Sequence, residues 1–254
     1  MKHSINDYYL PAYLEGEGVG TAYEYFAKRR IIHKYIKGKT IRNILIVGLP
    51  EKYGYSMDFV ILGDSISARI TILEDRQAKI DKAKEIISEL QSRKILSNNL
   101  NISFQKVDNF LNFKNAGIYD LVLTCETLQR IESPKDFVES YNKMSKIFIA
   151  FCPNGDNESH NTLSGLKSIP LSKLKKEVFQ LIPVKEYGYI DFPPFPPGIK
   201  LSEEKRQNVN EGWLQGIAMR ILGMYCRMEP LYPSFLKKRF AHIVYFVIIQ
   251  PQRH

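Results

Sequence analysis

The sequence predicts an α/β protein with a doubly wound, seven-stranded, mostly parallel sheet. Short apolar runs alternate along the chain with longer helical stretches, which is typical of βαβ units. The apolar runs carry hydrophobic residues on both faces, as strands do when helices cover both sides of a sheet. Several of these runs end in glycine or an acidic residue, where a doubly wound sheet binds its ligands.

An amphipathic helix is predicted first, at residues 21–37, with Gly38 as its stop. Five buried strands are then predicted at 42–48, 68–75, 101–108, 119–126 and 146–153. Between them the pattern predicts helices near 56–62, 76–96 and 134–145, and Pro134 suits a first helical turn.

The regular alternation of predicted strands and helices ends after Pro153. We expect a helix near 170–179 and a strand near 181–190, then the proline-rich stretch DFPPFPPGIK, a helical insertion at about 202–228 and a last strand at 242–250. No linker separates two folded halves, so one domain is predicted over 1–254. It divides into an N-terminal extension (1–40), a cofactor-binding core (41–155) and a substrate-side elaboration (156–254).

The chain has 254 residues and a net charge of +9, and the excess is uneven. Residues 1–159 carry 22 basic and 20 acidic groups, whereas residues 160–254 carry 14 and 7. The basic C-terminal third could favour an anionic substrate, nucleic acid or an acidic partner, or it could be a solvated surface.

The three cysteines are scattered, which argues against a disulfide framework and against a cysteine-rich zinc site. A cytoplasmic setting is the expectation. The run AHIVYFVII is about half the length that a membrane helix needs, so no membrane span is predicted. No cluster of His, Cys and Asp has metal-ligand spacing, so we expect no metal.

Candidate ligand-binding residues stand at the ends of the first three predicted strands, where the carboxyl ends of the strands meet. The first strand ends in Gly48, followed by Leu49 and Pro50, and the second ends in Glu74 and Asp75. The third ends in Asp108 and Asn109. A carboxylate after the second strand can accept hydrogen bonds from both hydroxyls of a ribose, so a nucleoside pocket is predicted. In the alternatives, Gly48 only closes a turn, Asp75 caps the next helix and Asp108 is a turn residue.

These strand ends resemble the motifs of one enzyme family. ILIVG, ITILED and QKVDNF are similar to the first three motifs of the class I S-adenosylmethionine-dependent methyltransferases. YDLVLTCETLQRIESP and IFIAFCPN resemble the fourth and fifth, and HIVYFVIIQ resembles the antiparallel last strand. The resemblance covers about residues 41–155 and the last strand, and it implies a Rossmann-like fold with S-adenosylmethionine as cofactor.

The resemblance also implies roles for the strand-end residues. Glu74 would hold the ribose and Asp108 with Asn109 would flank the adenine. Gly48 would let the backbone approach the methionine end, and Cys125 with Glu126 would line the methyl-donor side. The chain departs from the family where Ile46 and Pro50 replace a usual acidic residue and a glycine, and proline cannot adopt positive φ.

Methyl transfer needs a positioned acceptor, and a base is optional. His160, after the fifth strand, is the candidate base, and the alternative is that it is a structural hydrogen-bond donor. The candidate substrate contacts are Asn154 and Asn157, which lie near His160 in the sequence, and Trp213 in the helical insertion. The sequence favours a methyltransferase for a small-molecule acceptor. The alternatives are an RNA or protein methyltransferase and a non-catalytic module of the same fold; the oligomeric state is undetermined.

Overall fold

A computed structural model describes residues 4–114, 117–194 and 213–250, the side chains of residues 213–215 excepted. Its central element is a sheet of seven strands in the order β3-β2-β1-β4-β5-β7-β6. The strands are β1 (Asn43–Val47), β2 (Arg69–Glu74), β3 (Ile102–Lys106), β4 (Tyr119–Cys125), β5 (Ser145–Pro153), β6 (Glu186–Ile190) and β7 (Ile243–Ile249).

The strand directions confirm the predicted doubly wound, mostly parallel sheet. β1 runs parallel to β2 and β4, β2 to β3, and β4 to β5. β7 is antiparallel to both β5 and β6. The carboxyl ends of β1 to β6 therefore meet at one edge of the sheet, where the residues before β7 also lie.

The helices lie between and around these strands. They are α1 (Tyr9–Leu14), α2 (Val19–Ile36), α3 (Met57–Ser65), α4 (Gln77–Ser92), α5 (Pro134–Lys143), α6 (Glu158–Ser164), α7 (Leu171–Leu174), α8 (Trp213–Met228) and α9 (Ser234–Phe240). Single turns of 3-10 helix occupy Ile5–Tyr8, Phe110–Asn112, Leu128–Arg130 and Glu229–Leu231, and a π turn at Lys175–Phe179 extends α7.

Both faces of the sheet are buried, which is why its strands read as continuous apolar runs. In β1, Ile44 and Ile46 pack into the core cluster that contains residues of α2, α3 and α4. The alternate residues Leu45 and Val47 pack into the cluster with residues of α5 and α7. All four side chains are fully buried, and burial of each such side chain stabilises the fold by about 1.5–3 kcal/mol.

Local signals set several helix ends. Gly38 has φ +75° just after α2, as its place as a stop predicts. At the start of α5, Ser133 Oγ accepts the backbone N–H of Asp136 at 3.4 Å and Pro134 takes the first turn. α4 ends at Ser92 rather than the predicted 96, because Lys94 adopts φ +59° and the N–H groups of the next two residues turn back to the carbonyl of Leu90.

Several regions differ from the predicted elements. β6 begins at Glu186 rather than at the predicted 181, and α6 and α9 lie in segments where no helix was predicted. The predicted helical insertion is described only over α8, so its residues 202–212 and most of the proline-rich stretch lie outside the described residues. The turns at Ile5–Tyr8 and Tyr9–Leu14 were not predicted; Ser4 and Asp7 cap the first of them reciprocally. The division into extension, core and elaboration stays a prediction.

Candidate functional site

The turn after β1 is packed against the end of β4. Gly48 has φ +73°, in the left-handed region that glycine adopts without steric cost. A Cβ on Gly48 would lie 2.3 Å from Oγ1 of Thr127. Thr124 and Thr127 donate their hydroxyls to the carbonyl of Val47 at 2.9 and 3.0 Å. The turn therefore requires a glycine at position 48 for both its conformation and its space.

Glu74 lies at the end of β2 and contacts this turn. Its side chain is fully buried, and Oε2 accepts the backbone N–H of Leu49 at 2.6 Å. Oε1 accepts the backbone N–H of Arg76 at 3.0 Å, and the guanidinium of Arg76 donates to both carboxylate oxygens. Arg76 also donates to the carbonyl of Leu49 at 2.7 Å. The candidate ribose carboxylate thus lies beside the turn, with Arg76 on the acceptor positions that sugar hydroxyls would use.

The other acidic and amide candidates lie towards the surface of this edge. Asp75 pairs with Arg130 at 3.2 Å, and α4 has no side-chain cap, so Asp75 does not act as the cap weighed above. Asp108 and Asn109 are exposed, and Asn109 Oδ1 accepts the backbone N–H of Leu111 at 2.8 Å. Adenine contact by these two residues stays a prediction.

The N-terminal segment closes over the same turn through Glu15. The buried carboxylate accepts the hydroxyl of Tyr25 and the backbone N–H of Tyr55, and it accepts the backbone N–H of Met57 at 3.3 Å. Gly54 has φ +74°, and a Cβ there would lie 2.5 Å from Oε2 of Glu15. Burial raises the pKa of Glu15 to about 8. Sequence reasoning missed Glu15 because nothing local distinguishes it from a surface residue.

A buried ionic cluster surrounds Lys28 at the end of β4. The Nζ of this fully buried lysine lies 2.8 Å from Glu24 Oε1, 3.5 Å from Asp58 Oδ2 and 3.5 Å from Cys125 Sγ. Burial on its own lowers the pKa of Lys28, but Asp58, Cys125 and Glu24 together hold it above its ordinary value, so the amine stays charged. The one available signal was a lysine on the otherwise apolar face of the predicted helix.

Burial raises the pKa of the acidic side chains in this region. Burial raises the pKa of Asp58 to about 7 and that of Glu126 to about 8. Asp58 is paired with Lys28 at 3.5 Å, and among the described residues no closer hydrogen bond reaches either of its carboxylate oxygens. Glu126 Oε2 accepts the backbone N–H of Glu51 at 3.2 Å. Burial also raises the pKa of Cys125, which therefore remains a thiol. A cationic ligand at this position would favour the ionised carboxylates.

Two histidines and an aspartate lie across the edge from this cluster. His242 Nδ1 is 3.0 Å from Asp191 Oδ2, and its ring stacks on that of His160 with centroids 4.2 Å apart. Burial lowers the pKa of His160 to about 4, and its Nδ1 has no hydrogen-bond partner among the described residues. Sequence reasoning named His160 and missed Asp191 and His242, whose only signal was their position beside predicted strands.

The amides of Asn154 and Asn157 hold the segment that precedes β7. Asn154 Nδ2 donates to the carbonyls of Lys238 and Ala241 at 2.9 and 2.8 Å, and Asn157 Nδ2 donates to those of Phe240 and Ala241 at 3.0 and 3.2 Å. Both side-chain oxygens accept backbone N–H groups. The structure thus gives both residues a structural role, and substrate contact by either stays a prediction.

The methionine and aromatic pattern of α8 is divided between core and surface. Met219 is buried, whereas Met224 and Met228 are exposed by 63% and 49%. The pattern is therefore only partly the core stripe that such spacing usually indicates. The side chain of Trp213 lies outside the described residues, so its substrate contact stays a prediction.

An open cavity of about 810 Å³ lies beside the end of β4, next to the loop after α6. It is lined by four lysines, Lys135, Lys167, Lys173 and Lys176, together with Glu132 and Glu177.

In the described ranges, no group of three or more His, Cys, Asp or Glu side chains is arranged to hold a metal ion. Within the same part of the chain, no helix has the length and apolar character to cross a membrane.

Comparison with solved structures identifies the fold. The chain is similar to the plantazolicin methyltransferase BpumL, solved in complex with SAH, at 15% identity and a TM-score of 0.55 over 91% of this chain and 85% of that one. It is also similar to the complex of the Haloferax volcanii Trm112 methyltransferase activator and a methyltransferase, at 11% identity and a TM-score of 0.55 over 90% and 91%. The chain has the class I methyltransferase fold. No protein-family profile and no curated protein matches the sequence.

Two parts of S-adenosylmethionine, its sulfonium and its ribose, would find side chains of suitable chemistry at this edge of the sheet. The buried carboxylates of Asp58, which pairs with Lys28 at 3.5 Å, and Glu126 would match a ligand that carries a sulfonium cation. At the ribose end, Glu74 has the right chemistry, provided that Arg76 releases it. Arg76 is 29% exposed and directly precedes α4, so its side chain has solvent to move into.

Proposed function

We propose that this protein is an S-adenosylmethionine-dependent methyltransferase that acts on a small-molecule acceptor by in-line transfer. The contact between Leu49 and Glu74 carries the proposal, because it brings a backbone turn and a buried carboxylate together at the ligand-binding edge of a methyltransferase-type sheet. The SAH bound to the similar BpumL structure supports the same cofactor here.

The strand-end residues divide the binding of the cofactor between them. Glu74 would hold the ribose, and Asp108 with Asn109 would flank the adenine. Gly48, Leu49 and Pro50 would bring the backbone close to the methionine end, with Cys125 and Glu126 on the methyl-donor side. When bound, S-adenosylmethionine supplies an electrophilic methyl group on a sulfonium cation.

The chain's own contribution is charge, exclusion of water and orientation. Glu24, Asp58 and Glu126 form an acidic environment with Lys28 as their buried counter-ion. Such a site favours a cation and removes the water that would otherwise solvate it. His160, on the facing side of the edge, remains a candidate proton acceptor, and its ring stacks on that of His242.

An apolar acceptor is supported by the aromatic side chains next to Asp191. Phe192 lies 5.5 Å from Tyr232 and 6.4 Å from Tyr225 between ring centroids, and the two tyrosines are 5.4 Å apart. Aromatic walls of this kind suit flat or lipophilic molecules. BpumL, by its name, methylates plantazolicin, which agrees with an acceptor of the small-molecule class.

A non-catalytic binding module with the same fold is the second candidate. The ion pair between Arg76 and Glu74 favours it, because it occupies the carboxylate that a cofactor ribose needs. A permanent pair would leave the edge without a nucleoside site. The two candidates are separated by two measurements: a methyltransferase binds the cofactor and transfers its methyl group, whereas the non-catalytic module lacks transfer.

Calorimetric titration of the full chain with S-adenosylmethionine and with S-adenosylhomocysteine tests the proposal. We expect binding of both, weakened at least about tenfold by Glu74→Gln through loss of a charge-assisted hydrogen bond. Glu89→Gln is the matched control, since Glu89 is an exposed carboxylate on α4. No binding at millimolar ligand would remove the proposal. Binding without transfer of a labelled methyl group to any extract component would favour the non-catalytic candidate, and salt-dependent retention of RNA would favour an RNA acceptor.

A further inference from the structure

Asp191 and His242 hold each other at two points between the end of β6 and the start of β7. Besides the 3.0 Å contact of Oδ2 with Nδ1, the backbone N–H of His242 donates to the carbonyl of Asp191 at 2.8 Å. Asp191 adopts φ +63°, in the left-handed region that non-glycine residues seldom occupy. The carboxylate favours the tautomer with hydrogen on Nδ1, which leaves the lone pair on Nε2. This pair has the geometry of a base and the group that orients it.

The pair lies at the edge where we place the cofactor. Pro153, at the end of β5, is the register partner of Ile243, so His242 follows immediately beyond β5. The backbone N–H of Asn154 donates to the carbonyl of His242 at 2.8 Å, which fixes this position. On the other side of β5, Cys125 ends β4 as the register partner of Phe151.

Four titratable groups face His242, each from a different element. They are Asp191 after β6, Glu24 on α2, Glu229 after α8 and His160 on α6. Burial on its own lowers the pKa of His242, but Asp191, followed by Glu24 and Glu229, raises it above its ordinary value. Three carboxylates thus stabilise a proton on this ring.

His160 has the opposite environment. Burial and the nearby His242 lower its pKa to about 4, so at neutral pH it is uncharged and a weak base. Its ring lies nearly parallel to that of His242, with an angle of 13° between the planes. A neutral ring in this position packs against His242 and does not compete with it for a proton.

We infer that His242 is the proton acceptor of the methyl transfer and that Asp191 is its positioning residue, an inference that rests on the proposed function. An acceptor oxygen or nitrogen forms its bond to the methyl carbon while the carbon–sulfur bond breaks and its electron pair stays on sulfur. The proton of the acceptor goes to Nε2 of His242, while Asp191 holds the ring through Nδ1. Water then takes the proton from His242.

A chemical probe tests the pair without any acceptor. Diethyl pyrocarbonate acylates accessible, unprotonated imidazole nitrogens, and peptide mass spectrometry identifies the modified histidine. We expect His242 to react, with a rate that rises as pH increases through its pKa. Asp191→Asn removes the group that stabilises the proton, so it lowers that pKa and accelerates modification of His242 at pH 6, by about tenfold for a shift of one unit.

Asp156→Asn is the matched control for this probe. Asp156 is a carboxylate at the same edge that accepts the hydroxyl of Tyr189 at 3.1 Å and pairs with Lys238 at 3.6 Å. It should leave the modification profile of His242 unchanged. An unreactive His242, or a profile that Asp191→Asn does not move, overturns the inference whether or not the protein binds cofactor.

Transfer of tritiated methyl from S-adenosylmethionine to the small-molecule fraction of a cell extract tests the role in catalysis. We expect His242→Gln to lower turnover about 100-fold or more and to abolish its rise with pH, with cofactor affinity unchanged. Asp191→Asn should shift the pH profile to lower pH, and His160→Gln should change turnover only a few-fold. Circular dichroism checks that each variant is folded.

The outcomes separate the two proposals. Failure of the wild type to bind cofactor or to transfer methyl ends the proposed function, and the catalytic role of His242 ends with it. Full turnover by His242→Gln overturns this inference alone. A loss confined to His160→Gln also overturns it and assigns the proton to the neighbouring ring.

Discussion

Arg76 occupies both carboxylate oxygens of Glu74, the residue at the end of β2 that we propose as the ligand of the cofactor ribose. The same guanidinium also reaches the carbonyl of Leu49, so one side chain ties the end of β2 to the turn after β1. Cofactor binding at Glu74 therefore requires that this ion pair open. Arg76 and a ribose compete for one carboxylate.

Removal of Arg76 should consequently increase the affinity for cofactor. We expect Arg76→Ala to bind S-adenosylmethionine about fivefold more tightly, which corresponds to about 1 kcal/mol, the upper end of what a partly exposed ion pair contributes. Calorimetry measures the change. Arg93→Ala serves as the control, because Arg93 makes an exposed pair with Glu89 elsewhere on α4. Equal or weaker binding by Arg76→Ala would contradict the competition.

Gly48 should be intolerant of a side chain for two separable reasons. Gly48→Ala forces alanine into positive φ and places its Cβ 2.3 Å from Thr127 Oγ1, so we expect a loss of about 2–5 kcal/mol in the free energy of unfolding. Gly38→Ala is the matched comparison: it has φ +75° and nothing within 4 Å, so only the conformational cost of about 1–2 kcal/mol applies. Urea unfolding of both variants gives the difference. Equal losses would refute the steric contribution of Thr127.

The sheet could be predicted from the sequence because its signal is local. Residues 44–47 are buried on both faces, so the chain must be apolar at every position, and a short uninterrupted run marks the strand. Glu74 could be singled out for the same reason, since it is the last residue of a strand, and its contact with a ribose stays a prediction. The role of Arg76 could not be predicted, because only the folded turn brings its side chain into contact with Glu74 and the carbonyl of Leu49.

The remaining site residues depend on contacts between distant parts of the chain. Glu15 and Tyr55 are 40 positions apart, Asp191 and His242 are 51 apart, and Lys28 and Cys125 are 97 apart. No periodicity or spacing connects such pairs in a single sequence. His160 was found because it follows a strand, but its low pKa comes from burial and from His242, which lies on a different element.

Glu15 should make the protein less stable as pH increases. Its pKa is raised from 4.5 to about 8 in the folded protein, so between these values the folded state holds a proton that the unfolded state has lost. Stability associated with Glu15 is therefore complete below pH 4.5 and is lost as pH rises through 8. We expect the free energy of unfolding of Glu15→Gln, measured in urea from pH 5 to pH 8.5, to decline less than that of the wild type. Parallel curves would show that the carboxyl is not perturbed.

Lys28 should be one of the costlier single losses in the fold. Lys28→Met leaves Glu24 and Asp58 buried without their counter-ion, and breaking a buried pair costs about 3–5 kcal/mol. Lys34→Met is the control, because Lys34 makes an exposed pair with Glu186 that contributes about 0–1 kcal/mol. The double variant Lys28→Met with Asp58→Asn removes one orphaned charge, so urea unfolding should show it to be more stable than Lys28→Met alone. A double variant with the summed losses of its parents would mean that the two side chains do not interact, and the acidic environment proposed for the methyl donor would then lack its counter-ion.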